Sequence, residues 1–378
     1  MTTTLRLIID QILAPVPGGV GRYAEELTRA LIETAPLGCT VEGIVSSSTD
    51  AEYRLLDEKL PGLSTVYKSA LARRELAAAW QHGFTRLPGK GMLHATSLLA
   101  PLSRHDRDGG TGEQIAVTIH DVAPWTHPET LTENSAHWHR AMAKRAHRYA
   151  DAVVVPTHAV ADQLADIIDF GERVRVIGSA VSSKIARPAD ADARALRMQL
   201  PERYVLAIGG LEPRKAIAQL IRSFGSPDAA ELPLLVVGPE QSVAVETVAA
   251  EAGLEPGSVR TLGYLGDEDL SVALERATVF VMPSLAEGFG LPVIEAFHFG
   301  TPVVHSDDPA LVEVAGGAGL VVERDDAEGY PARLAATIKS VVDDDELAER
   351  LGQSGLDRAH LYSWRNSAEK VWQLHADL

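Results

Sequence analysis

Two carboxylates, Glu287 and Glu295, stand eight positions apart in the stretch Ser284 to Phe297, S-L-A-E-G-F-G-L-P-V-I-E-A-F. Upstream, Thr278 to Met282 is a largely apolar run rich in β-branched residues, which predicts a buried strand. Downstream, Pro292 suits the first turn of a helix, and Gly300 followed by Pro302 suits its end. The spacing therefore puts Glu287 on the loop after a strand and Glu295 in the first turns of the next helix. Backbone N–H groups at such a helix start make a seat for phosphate. A carboxylate on each side of that seat suits a ligand with hydroxyls at both ends and phosphate in the middle. A nucleotide-diphosphate sugar has that form.

Gly209-Gly210-Leu211-Glu212-Pro213-Arg214-Lys215 follows the apolar run Tyr204–Ile208, at the carboxyl edge where open α/β sheets bind ligands. Adjacent Arg214 and Lys215 can neutralise a departing diphosphate, Arg by a bidentate grip and Lys as a point charge. A structural ion pair is the alternative for Arg214. Pro17 to Ala24 contains G-x-G-x-x-A, the dinucleotide fingerprint. That reading needs an acid at the end of the second strand, where this chain has Ser46-Ser47-Ser48. The loop instead reads as a turn into a helix Gly21 to Thr34, with Gly18 and Gly19 letting backbone approach a ligand. His120, after the run Ile115–Ile119, can hydrogen-bond a sugar hydroxyl. A buried structural histidine is the alternative. Asp121 either meets an acceptor or caps the next turn, and His94 ends another strand as an acceptor-side candidate.

These stretches resemble the retaining glycosyltransferases of family 4. The resemblance is carried by P-S-L-A-E-G-F-G-L-P-V-I-E-A with its E-x7-E and the G-T-P-V-V that follows. It is carried also by G-x-x-E-P-R-K at Gly209–Lys215, H-D-x-x-P at His120–Pro124 and G-G-V-x-x-Y from Gly18. It implies a GT-B architecture, α/β, with two Rossmann-like domains whose parallel sheets face a central cleft. It implies retaining transfer of a hexose, with mannose-like donors favoured, from a nucleotide-diphosphate sugar to a glycan, lipid-linked or small-molecule acceptor. Neither metal nor cofactor is implied. By the same resemblance Glu287 contacts the sugar, Glu295 holds the ribose, and Lys215 with Arg214 takes the diphosphate. The backbone of Gly288, Phe289, Gly290 and Leu291 meets the sugar and diphosphate, as do Gly209, Gly210, Gly18 and Gly19. Gly263, Tyr264 and Leu265 hold the base, and His120 meets the sugar. Three positions depart from the family pattern: Gly210 where many relatives have Arg, Ala216 where they have Gly or Asn, and Gly178–Val181 where they have Pro-x-Gly-Val. A nucleotide-sugar epimerase and a non-catalytic sugar-nucleotide-binding subunit are the alternatives.

The bulk properties fit a two-domain globular chain of 378 residues, 46% hydrophobic and 23% charged. A net charge of −17 disfavours nucleic acid. The one cysteine, Cys39, fits a reducing compartment, and no run approaches the ~20 apolar residues of a membrane span, so a cytoplasmic setting is expected. Strands are expected at Leu5–Ile9, Val41–Val45, Met92–Ala95, Ile115–Ile119, Ala152–Val155 and Val174–Ile177. A second set is expected at Tyr204–Ile208, Leu234–Val237, Val259–Leu262, Thr278–Met282, Pro302–His305 and Leu320–Val322. The expected domains are 1–183, a linker at 184–200, 201–362, and a helix over 363–378 that the resemblance places back on the first domain. Gly109 to Glu113 reads as a Gly-rich loop. His137, His139 and His147 lack the one-turn spacing of a metal pair, and Asp190-Ala191-Asp192 falls in the linker, so no metal site is expected. The basic helix 138–149 is either a solvated face or a peripheral contact with anionic lipid.

Overall fold

The computed structural model describes residues 3–15, 18–85, 87, 91–105, 112–239 and 241–378. Pro17 and residues 109–111 of the expected Gly-rich loop lie outside them, and Glu113 opens a strand. The chain forms two compact units, Met1–Ser179 with Ser363–Leu378, and Ala180–Tyr362.

The first unit is built on seven strands: β1 (Thr3–Ile8), β2 (Cys39–Ser47), β3 (Thr65–Ala72), β4 (Gly91–Ala95), β5 (Glu113–Thr118), β6 (Ala152–Val155) and β7 (Val174–Val176). They form one parallel sheet in the order β3-β2-β1-β4-β5-β6-β7. Apolar runs such as Ala152–Val155 are buried on both faces, as parallel sheets under helices require. Strand β3 has no counterpart among the sequence expectations. It is the edge strand, its residues alternate between half-buried and exposed, and Lys68 and Ser69 interrupt its apolar character. The helix expected from Gly21 begins earlier and spans Gly18–Glu33. Gly18 makes this possible by taking φ +58, a conformation that costs other residues strain.

The last helix, Trp364–Asp377, belongs to this unit. Ser367 Oγ donates to Gly178 O at 2.7 Å, and Trp372 Nε1 donates to Leu31 O at 3.3 Å.

The second unit carries β8 (Val205–Ile208), β9 (Leu234–Val237), β10 (Val259–Gly263), β11 (Val279–Met282), β12 (Val303–Ser306) and β13 (Leu320–Val322). Their order is β10-β9-β8-β11-β12-β13, again all parallel. Chain connections run outward in opposite directions from the adjacent β8 and β11. The loops after these two strands therefore part from a common switch point, the place where doubly wound sheets bind ligands. Those loops are Gly209–Lys215 and Pro283–Gly290, which carry the charged residues singled out in the sequence.

Residues 184–200, expected as a linker, are part of the second unit. Their helix, Ala191–Arg197, is tied to helix Asp267–Glu275 by Arg194 and Arg197, 2.8 and 2.7 Å from Asp269, and by Arg276 on Asp192. Exposed pairs are individually weak, but a network sharing carboxylates fixes the segment better than isolated pairs. Asp190 and Asp192 thus serve as ion-pair partners.

Candidate active site

Gly209 follows strand β8, and a single turn of 3-10 helix, Pro213–Lys215, presents the two cations. Lys215 Nζ donates to Glu287 Oε1 at 2.5 Å. Arg214 Nη1 donates to Ala286 O at 3.0 Å and lies 3.5 Å from Glu287 Oε2, while Leu285 N–H donates to Arg214 O at 2.7 Å. The two loops are thereby joined at the side chains that matter. Burial pushes the Glu287 carboxyl up, but the Lys215 ammonium and the Arg214 guanidinium outweigh it and hold it below the usual range. Glu287 is therefore a carboxylate at neutral pH, on the floor of a positively charged corner.

Ala216 follows with φ +52, in the left-handed region. An L-residue with a Cβ costs about 1–2 kcal/mol there. The strained residue starts helix Ile217–Ser223 directly after Lys215. Gly210 sits beside its own loop's Glu212, whose Oε2 lies 2.5 Å from where a Cβ would stand.

Glycines form the floor beside this corner. A Cβ on Gly238, after β9, would lie 2.4 Å from the Gly209 carbonyl oxygen, and Gly238 N–H donates to Gly263 O at 3.0 Å. The sequence reading missed Gly238, although its place after an apolar run at the carboxyl edge was a usable signal. Gly263 takes φ +66, Leu265 packs on the core, and Tyr264 is 66% exposed. On the other loop Gly290 takes φ +83, and a Cβ there would meet Leu311 Cδ2 at 2.4 Å, so only glycine fits. It opens helix Leu291–His298, in which Glu295 is 1% exposed. Gly288 and Phe289 are buried, and the Phe289 ring meets Tyr362 edge-on at 5.5 Å.

In the first unit, His120 follows β5 and its Nε2 meets Thr96 O at 2.8 Å, so Nε2 carries the proton and Nδ1 is the acceptor. Burial pushes its pKa down, against the pull of that hydrogen bond and of Asp121. The ring of Tyr23 packs edge-on against it at 4.8 Å, a support absent from the sequence expectations. Asp121 Oδ1 accepts from Ala123 N–H at 2.9 Å, the turn-capping alternative. His94 is a correction. It is 0% exposed and its ring lies 5.6 Å from His375 of the last helix, so it offers nothing to an acceptor. Its strand is covered on both faces, and a place near a strand end does not decide which face a side chain takes. Gly18 and Gly19 open the helix Gly18–Glu33, and among the described residues a Cβ on either would meet nothing within 4 Å.

Residues 17–184 match the family described as Glycosyltransferase Family 4, and residues 189–358 match Glycosyl transferases group 1. The chain is 32% identical over 275 residues to O-antigen chain mannosyltransferase B of Escherichia coli, covering 67% of this chain and 68% of that protein. The chain belongs to glycosyltransferase family 4. The chain is also 29% identical over 406 residues to the MMP alpha-(1->4)-mannosyltransferase of Mycolicibacterium hassiacum, over 94% of this chain and 93% of that protein. Sucrose-phosphate synthase of Thermosynechococcus elongatus superposes with a TM-score of 0.74 at 22% identity, over 99% of this chain and 98% of that one. The fold is GT-B. As a family 4 member the protein is a hexosyltransferase that uses nucleotide sugars.

Proposed function

We propose that the protein transfers a mannose, with retention and without metal, from a nucleotide-diphosphate mannose to a hydroxyl of a glycan acceptor. The observation that carries the reading is the Lys215–Glu287 contact with Arg214 beside it, at the switch point of the second unit. Lys215 and Arg214 meet the diphosphate and neutralise it as the bond from the sugar C1 to its oxygen breaks. Two fixed cations here do the work that a divalent cation does in other transferases. The acceptor oxygen bonds to C1 on the same face, and its proton leaves with the diphosphate oxygen. Glu287 lies against the sugar, the N–H groups opening helix Leu291–His298 meet phosphate, and Glu295 takes the ribose hydroxyls. The loop Gly263–Leu265 meets the base. Mannose is favoured because O-antigen chain mannosyltransferase B and the MMP alpha-(1->4)-mannosyltransferase carry it in their names.

The test is mass spectrometry of a panel of nucleotide sugars incubated with protein and chelator. The expected result is release of one nucleoside diphosphate, from a mannose donor, lost in Glu287→Ala. Release that requires an added divalent cation overturns metal independence, and release from a different sugar overturns mannose.

No helix among the described residues is long and apolar enough to cross a membrane. We place the protein in the cytoplasm, the one cysteine Cys39 being free, with its helix Glu133–Tyr149 resting on anionic lipid. His137, Lys144 and Arg148 are exposed on that helix, and Phe84 nearby in the fold is 81% exposed. Arg140 and Arg145 are instead committed to the carbonyls of Pro124 and Leu102. Cosedimentation with anionic but not neutral vesicles, weakened in Lys144→Glu/Arg148→Glu, is expected; equal recovery with both vesicle types refutes the contact.

A further inference from the structure

Four consecutive carbonyls lead into Glu287, and each accepts a hydrogen bond from a different side chain. Tyr330 Oη donates to Pro283 O at 2.8 Å, and Ser306 Oγ donates to Ser284 O at 2.5 Å. Arg324 Nη1 donates to Leu285 O, and Arg214 Nη1 donates to Ala286 O at 3.0 Å. Surface loops ordinarily leave such groups to water. Here every peptide plane of 283–286 is pinned from outside the loop. The direction in which the next residue's side chain emerges is therefore set by the ends of β12, β13 and helix Tyr330–Val342.

Arg324 is the charged member of the distal three, and it is itself held. Its Nε donates to Asp307 Oδ1, and Nη1 lies 3.9 Å from Asp308 Oδ2. Asp308 caps helix Pro309–Ala315 by accepting from the N–H groups of Ala310 and Leu311 at 3.1 and 3.3 Å. Leu311 is the residue that meets the space above Gly290. One guanidinium thus links the start of the loop to the helix on which its end rests.

We propose that Arg324 is a positioning residue: it fixes the 283–286 backbone so that Glu287 is presented to Lys215. Arg324 touches no reacting group in this account, which rests on the functional reading above. A misplacement of about 1 Å at a reacting group costs on the order of 10²-fold in rate, so the effect is large although the residue is remote. Arg324 lies 37 positions beyond Glu287 in the chain, and nothing in the local sequence marks it.

The experiment pairs two readouts on Arg324→Ala in the full chain. Hydrogen exchange of peptide 283–290, including the Leu285 amide, is expected to quicken by about tenfold while β8 and β9 exchange as in wild type. Turnover is expected to fall on the order of 10²-fold with the donor KM little changed, and to recover in part with added guanidinium or in Arg324→Lys. Tyr330→Phe removes one hydroxyl donor and is expected to act in the same direction more weakly, which covers failure of Arg324→Ala to fold. Unchanged exchange across 283–290, or wild-type turnover in Arg324→Ala, overturns the proposal. If wild type releases no diphosphate from any donor, the functional reading fails and the exchange result alone decides the clamp.

Discussion

Lys215→Ala lowers transfer on the order of 10³-fold and leaves the fold standing, the expected result if its ammonium meets the leaving diphosphate. The ammonium is held at 2.5 Å from Glu287 by the fold itself, so it is already fixed beside the carboxylate. A second effect accompanies the first. Glu287 is buried, and its depressed pKa depends foremost on Lys215 among the charges near it, with Arg214 next. Removing Lys215 lets burial push the carboxyl up, so the pH at which activity is lost on acidification moves upward in Lys215→Ala. Stability follows the same sign. A carboxylate with a depressed folded pKa stabilises above its unfolded pKa, and that stabilisation is lost as pH falls through the folded value. Leaving the buried carboxylate without its nearer cation costs on the order of 1–3 kcal/mol.

A double-variant cycle separates the two jobs of Lys215. If it served only to orient Glu287, then Lys215→Ala and Glu287→Ala lose equal activity, and the double variant loses no more. If it also meets phosphate, the double variant falls further. Residual turnover above one tenth of wild type in folded Lys215→Ala removes the residue from the catalytic machinery.

Much of this corner was legible because the signals are local. Glu287, Glu295, Arg214 and Lys215 sit in short segments where an apolar run, a glycine turn and a helix start follow one another. The strand-then-turn pattern alone places both loops at a carboxyl edge. The sequence marks Ala216 only as a residue type unlike the resembled pattern; its left-handed backbone, at φ +52, was not read there. What stayed hidden depends on distant partners. Edge strand β3 carries no apolar run, since half of its surface needs no burial. The carbonyl clamp joins residues from four separate elements. His94 looked like a site residue because it ends a strand, yet its environment is set by a helix 270 or more positions later in the chain.

That hidden environment makes the second large prediction: acidification from pH 7 to pH 5 strips the first unit of about 4 kcal/mol of stability through His94 and His375. Both rings are buried, 0% and 2% exposed, and stand 5.6 Å apart. Neither nitrogen of His94 has a hydrogen-bond partner among the described residues, nor has Nε2 of His375, whose Nδ1 meets Gln114 Oε1 at 3.2 Å. Burial pushes His94 down to about 4, and burial together with the neighbouring His94 pushes His375 down to about 3. In the unfolded chain both titrate near 6.5. Below that pH the unfolded chain takes up two protons that the folded unit refuses. Stability is therefore whole above pH 6.5 and falls by about 1.4 kcal/mol per pH unit for each ring until the folded values are reached. His105 works the other way, because its hydrogen bond to Asp151 raises its pKa and gives stability below neutrality. It softens the slope without reversing it, being one group against three, since burial pushes His120 down as well. Since a domain commonly has only about 5–15 kcal/mol in hand, the loss is large.

The measurement is convenient, because all five tryptophans, Trp80, Trp125, Trp138, Trp364 and Trp372, lie in the first unit. Urea unfolding followed by their fluorescence should show the midpoint falling steadily from pH 6.5 to pH 5. His375→Phe keeps an aromatic ring without a titratable nitrogen and is expected to halve that slope, whatever its stability at pH 7.5. A midpoint that stays level across this range means that the folded rings take up protons as readily as the unfolded ones, and the pair does not set the acid sensitivity of this unit.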